Sequence, residues 1–145
     1  SKGLSAPVGS LICGSREFVE RARKWRKMLG GGMRQAGVIA AAGIVAIQKM
    51  VNRLAEDHTT AHRLADGLAG IPGISIRPEK VQTNIVNFES PPTMTGPEFI
   101  QRMTAQGVRV VNRGGRMVRA VTHRMVSAAD IDEALERIDS AVNQG

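Results

Sequence analysis

Hydrophobic residues recur at helical spacing over much of this chain. A helix is predicted from Ser15, which resembles an N-cap, to about Met28. A second helical stretch is predicted to start near Met33 or Arg34. Its residues 36–47 are apolar nearly all round and therefore predict a buried helix. From residue 52 to Gly70, charged and apolar residues interleave, which predicts an amphipathic helix with a solvated face.

Short apolar or alternating runs predict strands. Residues 8–13, bounded by glycines, predict a short buried strand, in which Cys13 is a core residue. Further strands and helices alternate afterwards. The predicted strands are 74–77, 83–89, 108–111 and 117–122, and the predicted helices are 95–106 and 127–142. The order β-β-α-β-β-α predicts a small sheet with helices on one face.

Composition narrows the class of protein. The chain has 145 residues, 42% of them hydrophobic, which is enough for a real core and argues against disorder. A single cysteine excludes a disulfide scaffold. The net charge of +7 favours anionic partners such as nucleic acid, acidic lipid or phosphate ligands.

The first candidate for chemistry is Lys2. It lies between small residues and ahead of the predicted strand, in Ser1-Lys2-Gly3-Leu4. Covalent carbonyl chemistry needs an amine that is held still beside small neighbours. The ordinary interpretation is a surface lysine near a chain end.

The second candidate is the run RKWRKMLGGGMRQ at residues 23–35. Glycines that open onto a helix N-terminus expose backbone N–H groups, and Lys27 and Arg34 flank them, as in a phosphate-binding cradle. A basic helix with one aromatic residue is also typical of nucleic-acid or membrane-surface binding. A solvated cationic face is the plainest interpretation.

The third candidate is the arginine-rich strand that ends in Thr122-His123. Arg119 stands among apolar residues and is suited to two-pronged recognition of a carboxylate, whereas Arg116 is interpreted as a solvated neighbour. An ordinary edge-strand arginine is the alternative. His58 and His62 have the i, i+4 spacing of zinc ligands but lack the HExxH glutamate, so no metal site is expected.

Three strings, taken together and in order, resemble the low-specificity L-threonine aldolase family. They are SKGL followed by APVGS, then RKMLGGGMRQAG, then VRAVTH. The resemblance runs over the whole chain but matches only the C-terminal part of a family member. It implies an α/β fold: the C-terminal part of the pyridoxal-phosphate (PLP)-dependent transferase fold of type I, also called aspartate-aminotransferase-like. Residues 1–51 would be the tail of the large PLP-binding domain. Residues 52–145 would be a small α+β C-terminal domain with a short sheet and helices packed on it.

The resemblance also implies roles for four residues. Lys2 would hold the cofactor covalently as the catalytic residue. Lys27 and Arg34 would lie near the cofactor phosphate, and Arg119 would bind the substrate carboxylate. The implied activity is retro-aldol cleavage of L-threonine or L-allo-threonine to glycine and acetaldehyde, by a chain that lacks the N-terminal half and is expected to be inactive alone.

Two alternatives stay open at this point. One is another fold-type-I PLP lyase acting on a β-hydroxy or β-substituted amino acid. The other is a small basic module that binds nucleic acid through residues 16–27. With the aldolase interpretation we expect a small amino-acid substrate, a cytoplasmic homo-oligomer, and neither nucleic acid nor membrane as partner.

Overall fold

The computed structural model describes residues 2–143, and the chain divides into two compact units with the boundary between Asn52 and Arg53. Five helices and three strands make up most of the described chain. The helices are α1 (Arg16–Met28), α2 (Gly37–Lys49), α3 (Leu54–Ala69), α4 (Gly96–Ala105) and α5 (Ala128–Asn143). The strands are β1 (Ile85–Glu89), β2 (Val111–Asn112) and β3 (Met117–Val121), and two short 3-10 turns lie at Lys2–Leu4 and Pro78–Lys80.

Helix α1 forms where the hydrophobic spacing predicts it. The Ser15 side chain accepts a hydrogen bond from the backbone N–H of Phe18 at 3.2 Å, which satisfies one of the free donors at the helix start. Leu29 closes the helix, and its N–H donates to the carbonyl of Trp25. None of the helical residues is buried, and Trp25 is 56% exposed.

The strand predicted at residues 8–13 is wrong. This segment is irregular and has no strand partner in the described chain, and Leu11 and Ile12 are 75% and 64% exposed. Cys13 is exposed as well, so it does not pack in a core. A buried strand needs neighbours for its backbone N–H and C=O groups, and the described part of the first unit contains no other strand to supply them.

Helix α2 also differs from its prediction in two respects. It begins at Gly37, because residues 34–36 form a turn in which Gln35 has a φ of +51°. It is also not buried: Ala46 is its only buried residue, and Val38 is 83% exposed. An apolar helix needs cover on every side, and α1 and the irregular segment are too small to provide it.

The second unit is built on an antiparallel sheet of three strands in the order β1-β3-β2. Alternate residues of β1 and β3 point into the core, among them Val86, Phe88 and Val118. The Phe88 ring meets the ring of Phe99 on α4 edge to face, with centroids 5.8 Å apart. Residues from α3, α4 and α5 share this core with the inner residues of the sheet.

Side-chain capping residues determine where α4 and α5 begin in this unit. Thr95 and Glu98 form a reciprocal capping box at α4, as Ser127 and Asp130 do at α5. The strands are shorter than predicted. Residues 74–77 contribute only the bridge between Ser75 and Glu89. The strand predicted at 108–111 is largely wrong, because β2 comprises only Val111–Asn112 and overlaps it at Val111.

Candidate functional site

Lys2 lies in the first 3-10 turn with a backbone φ of +72°. Its carbonyl accepts a hydrogen bond of 2.7 Å from the N–H of Ser5, which itself has a φ of +61°. Positive φ is costly for residues that carry a Cβ and is concentrated at functional sites. Among the described residues only Lys2, Ser5 and Gln35 combine a side chain with positive φ, and all three lie in the segments that carry the candidate residues.

The glycine-rich loop is folded against the last turn of α1. A Cβ placed on Gly32 would lie 2.8 Å from Cδ and 3.6 Å from Nζ of Lys27, so the lysine side chain occupies the space that a side chain at residue 32 would need. A Cβ on Gly31 would likewise come within 3.2 Å of the Arg26 carbonyl oxygen. Glycine at both positions therefore lets the loop lie close to the end of α1, because a side chain at residue 31 would press on the Arg26 backbone and one at residue 32 would displace the Lys27 side chain.

Arg34 lies in the turn that leads into α2 and is exposed. The N-cap position of α2 is Ala36, whose side chain cannot accept a hydrogen bond from the first turn. The free N–H groups at the start of this helix, with Arg34 beside them in sequence, make a chemically suitable environment for an anion. No side-chain hydrogen bond or ion pair joins Lys2, Lys27 or Arg34 to another described residue.

Arg119 lies on β3, the central strand of the sheet, opposite Asn87 of β1 on one side and Val111 of β2 on the other. It lies on the face away from the core, as the alternation with Val118 and Ala120 predicts. Its Nε donates to Oδ1 of Asn87 at 3.1 Å. No ion pair neutralises its guanidinium within residues 2–143.

Arg116 does not fit its interpretation as a solvated neighbour. One Nη donates to the carbonyl of Ser90 at 2.9 Å and the other to Glu89 Oε2 at 2.7 Å, and the side chain is half-buried. The two residues are also joined through their backbones, because the N–H of Ser90 donates to the Arg116 carbonyl at 3.0 Å. Arg116 therefore fastens the turn before β3 to the end of β1.

A buried ion pair that the hydrophobic pattern did not predict lies at the start of α3. Arg53 donates to both carboxylate oxygens of Asp57, at 2.7 and 3.3 Å, and the Asp57 side chain is 2% exposed. The hydrogen bond that Arg53 donates to this carboxylate is the main cause that raises the pKa of Arg53. An Arg and an Asp at i, i+4 on a predicted helix were the available signal. The pair lines a cavity of about 420 Å³, together with Glu56, Thr60 and residues 124–128.

The predicted site residues are divided between the two units. Lys2, Lys27 and Arg34 belong to the first and Arg119 belongs to the second. No group of three or more His, Cys, Asp and Glu side chains suited to a metal ion occurs in the described part of the chain. Across residues 2–143, no single helix is long and apolar enough to cross a bilayer, although α2 and α3 reach that length and composition as a broken pair.

Comparison with known sequences identifies one family and a set of similarly named relatives. A family profile described as beta-eliminating lyase matches residues 1–91. Low-specificity L-threonine aldolase 1 of Arabidopsis thaliana is 37% identical over 98% of this chain and 40% of its own length. The low specificity L-threonine aldolase of Escherichia coli K12 is 41% identical over 92% of this chain and 38% of its own. The resemblance predicted from the three strings is confirmed, and the chain spans about 40% of the length of these relatives.

Solved structures share the fold. The cysteine desulfurase CsdA from Escherichia coli matches with a TM-score of 0.60 and 19% identity, over 77% of this chain and 31% of its own. The cystine C-S lyase C-DES in complex with cysteine persulfide matches with a TM-score of 0.58 and 18% identity, over 72% of this chain and 28% of its own. The predicted fold class is confirmed by these likenesses.

Proposed function

Because this chain belongs to the beta-eliminating lyase family, we propose that it is the C-terminal part of a PLP-dependent aldolase. The reaction is cleavage of L-threonine or L-allo-threonine to glycine and acetaldehyde. The observation that carries the proposal is its similarity, over nearly the whole chain, to relatives named for that activity. Because the chain spans less than half of them, the activity belongs to the longer protein.

The residues of the first unit fit PLP by their chemistry. The glycine loop lies against Lys27, and a Cβ at residue 32 would come within 2.8 Å of the lysine Cδ, so a cationic side chain lies directly beside backbone that carries no side chain. Lys27 and Arg34 would hold the phosphate, and Lys2 would hold the cofactor covalently. When bound, the cofactor supplies the electron sink for cleavage of the bond between Cα and Cβ.

Arg119 would bind the substrate carboxylate. It lies on the outer face of the central strand, and its charge is not paired with any described carboxylate. A guanidinium binds a carboxylate through two parallel hydrogen bonds and so fixes its orientation as well as its position. Holding the carboxylate in one orientation selects which bond at Cα is aligned for cleavage.

The two units fit the domain assignment. Residues 1–51 would be the tail of the large PLP-binding domain, and residues 52–145 would be the small C-terminal domain. The exposed apolar side chains of α2 support the first part of this assignment, since a helix of this composition is stable in water only when covered. A homo-oligomer in the cytoplasm completes the proposal.

The test uses the full-length protein with PLP and three variants. Lys2→Ala should lose the cofactor absorbance and nearly all turnover, because the covalent attachment and a proton carrier disappear together. Arg119→Ala should keep the absorbance but lose about 2–4 kcal/mol of transition-state binding, or roughly 30- to 1000-fold in kcat/KM. Arg119→Lys should recover only part of the loss, since an ammonium lacks the two-pronged geometry.

Three results would count against the proposal. The first is Lys2→Ala with full activity and unchanged absorbance. The second is robust threonine cleavage by the 145-residue chain alone, which lacks the rest of the site. The third is turnover of other β-hydroxy or β-substituted amino acids with none of threonine, which would favour a different lyase of the same fold.

A further inference from the structure

The two arginines of the β3 region have different partners on β1. Arg116 faces the carboxylate of Glu89, which neutralises its charge. Arg119 faces Asn87, whose amide oxygen accepts from Nε at 3.1 Å without adding a charge. Asn87 and Glu89 stand two residues apart on the outer face of the same strand, and Glu89 pairs with a cation whereas Asn87 leaves its arginine without a counter-charge.

The Asn87 contact determines which edge of the Arg119 guanidinium can bind a ligand. A carboxylate can approach a guanidinium along the edge of Nε and one Nη, or along the edge of the two Nη atoms. The Nε–H of Arg119 is already donated to Asn87. The edge formed by the two Nη atoms has no partner among the described residues and is the one left for a carboxylate.

We propose that Asn87 is a positioning residue that presents the two Nη atoms of Arg119 to the substrate carboxylate. This inference rests on the proposed function. The register of the sheet supports it, because Asn87 and Arg119 are direct cross-strand partners and their backbones are fixed relative to each other. A neutral acceptor is required at this position, since a carboxylate would pair with Arg119 and repel the substrate.

The experiment measures dissociation constants of glycine and of glycinamide for the PLP-loaded full-length protein, by titration of the cofactor absorbance. Glycinamide carries no carboxylate, so the ratio of the two constants reports recognition of the negative charge. Asn87→Asp should lower the preference for glycine at least about tenfold, because it adds a like charge beside the ligand. Asn87→Leu should lower it about fivefold, the loss expected for one hydrogen bond.

Kinetics should show the same pattern. Both variants should raise KM for threonine more than they lower kcat, because Asn87 touches Arg119 and not the reacting atoms. The matched control is Glu89→Gln, which removes a charge from the same face of the same strand. It should not lower the glycine preference, because it removes a negative charge and leaves both Asn87 and Arg119 in place.

The outcomes separate this inference from the proposed function. If Arg119→Ala abolishes the glycine preference and both Asn87 variants leave it intact, the positioning role is wrong and the proposed function stands. If Arg119→Ala leaves the preference intact, Arg119 does not bind the carboxylate. The proposed role of Arg119 and the positioning role of Asn87 are then both wrong. Circular dichroism verifies folding of each variant, and if Asn87→Asp is unfolded, Asn87→Leu and the Arg119 comparison decide.

Discussion

The hydroxyl of Thr122 donates a hydrogen bond of 2.6 Å to the main-chain carbonyl oxygen of Asp57 and thereby joins the end of β3 to the first turn of α3. Thr122 is 1% exposed. Its N–H donates to the carbonyl of Asn84, and its own carbonyl accepts from the Asn84 side chain at 2.8 Å. Every polar group of this buried residue is therefore satisfied, three positions beyond Arg119.

Thr122→Val should lower the free energy of unfolding of the second unit by about 1–2 kcal/mol. The substitution keeps the shape of the side chain but removes a buried donor. Thr122→Ser retains the hydroxyl and should lose less. Urea unfolding followed by circular dichroism measures both variants, and equal stability of Thr122→Val and the parent would show that the hydrogen bond contributes nothing.

Arg116→Ala and Arg119→Ala should affect different properties. Arg116→Ala removes contacts to Glu89 and to the Ser90 carbonyl and should cost roughly 0.5–1.5 kcal/mol of stability, a modest value because the ion pair is partly solvated. Arg119→Ala should leave the melting temperature nearly unchanged, because it removes only one exposed hydrogen bond. Thermal unfolding of both variants tests this, and the reverse order of Tm values would contradict the assignment.

Gly96→Ala should destabilise the second unit. A Cβ at this position would lie 1.8 Å from Nδ2 of Asn112 and 2.3 Å from the carbonyl oxygen of Gly115. The Asn112 side chain can move but the backbone oxygen cannot, so we expect a loss of about 1–3 kcal/mol. The double variant Gly96→Ala/Asn112→Ala should recover only part of it, and full recovery in urea unfolding would show that the side chain was the sole obstacle.

Acid should weaken the starts of α4 and α5. Hydrogen bonds from the Thr95 backbone and hydroxyl hold the pKa of Glu98 below its ordinary value of 4.5, and those from Ser127 hold the pKa of Asp130 below 3.8. A carboxyl with a lowered folded-state pKa contributes stability that is present above its unfolded pKa and is lost as the pH falls through the folded value. The second unit should therefore lose stability as the pH falls below about 4.5.

The matched control is Glu98→Gln, which can still accept the capping hydrogen bonds but does not titrate. Its Tm should depend less on pH between 7 and 3 than that of the parent protein. Identical pH profiles for the two proteins would remove the capping box of α4 as a source of acid sensitivity.

Local signals predicted the helices and the strands β1 and β3 of the second unit. The helix starts near residues 95 and 127 and the alternation around Val118 depend on neighbouring residues, which the sequence displays directly. What the sequence could not show was the difference between Arg116 and Arg119. Arg119 stands opposite the neutral Asn87, whereas Arg116 lies just before β3 and reaches Glu89, the residue opposite Met117. These contacts depend on the register of β1 and β3, which is a property of two strands together.

The first unit shows where prediction from pattern fails. Residues 8–13 and α2 have the apolar composition of buried elements, yet in this chain they are exposed. Apolar composition indicates that a segment is stable when its side chains are buried. Whether they are buried depends on other residues that pack against them. The ion pair of Arg53 and Asp57 was missed for a related reason, since burial of a charged pair depends on the tertiary contacts around it.

The central place of β3 in the sheet constrains how Arg119 can move. A strand bonded on both edges exposes its amides only when the whole sheet opens, so the β3 amides should be among the slowest to exchange with deuterium in the second unit. The Arg119 side chain can change rotamer, but the Arg119 Cα cannot move independently of the neighbouring strands. A displacement of the Arg119 guanidinium larger than a rotamer change allows must therefore be a rigid-body motion of β3 together with β1 and β2.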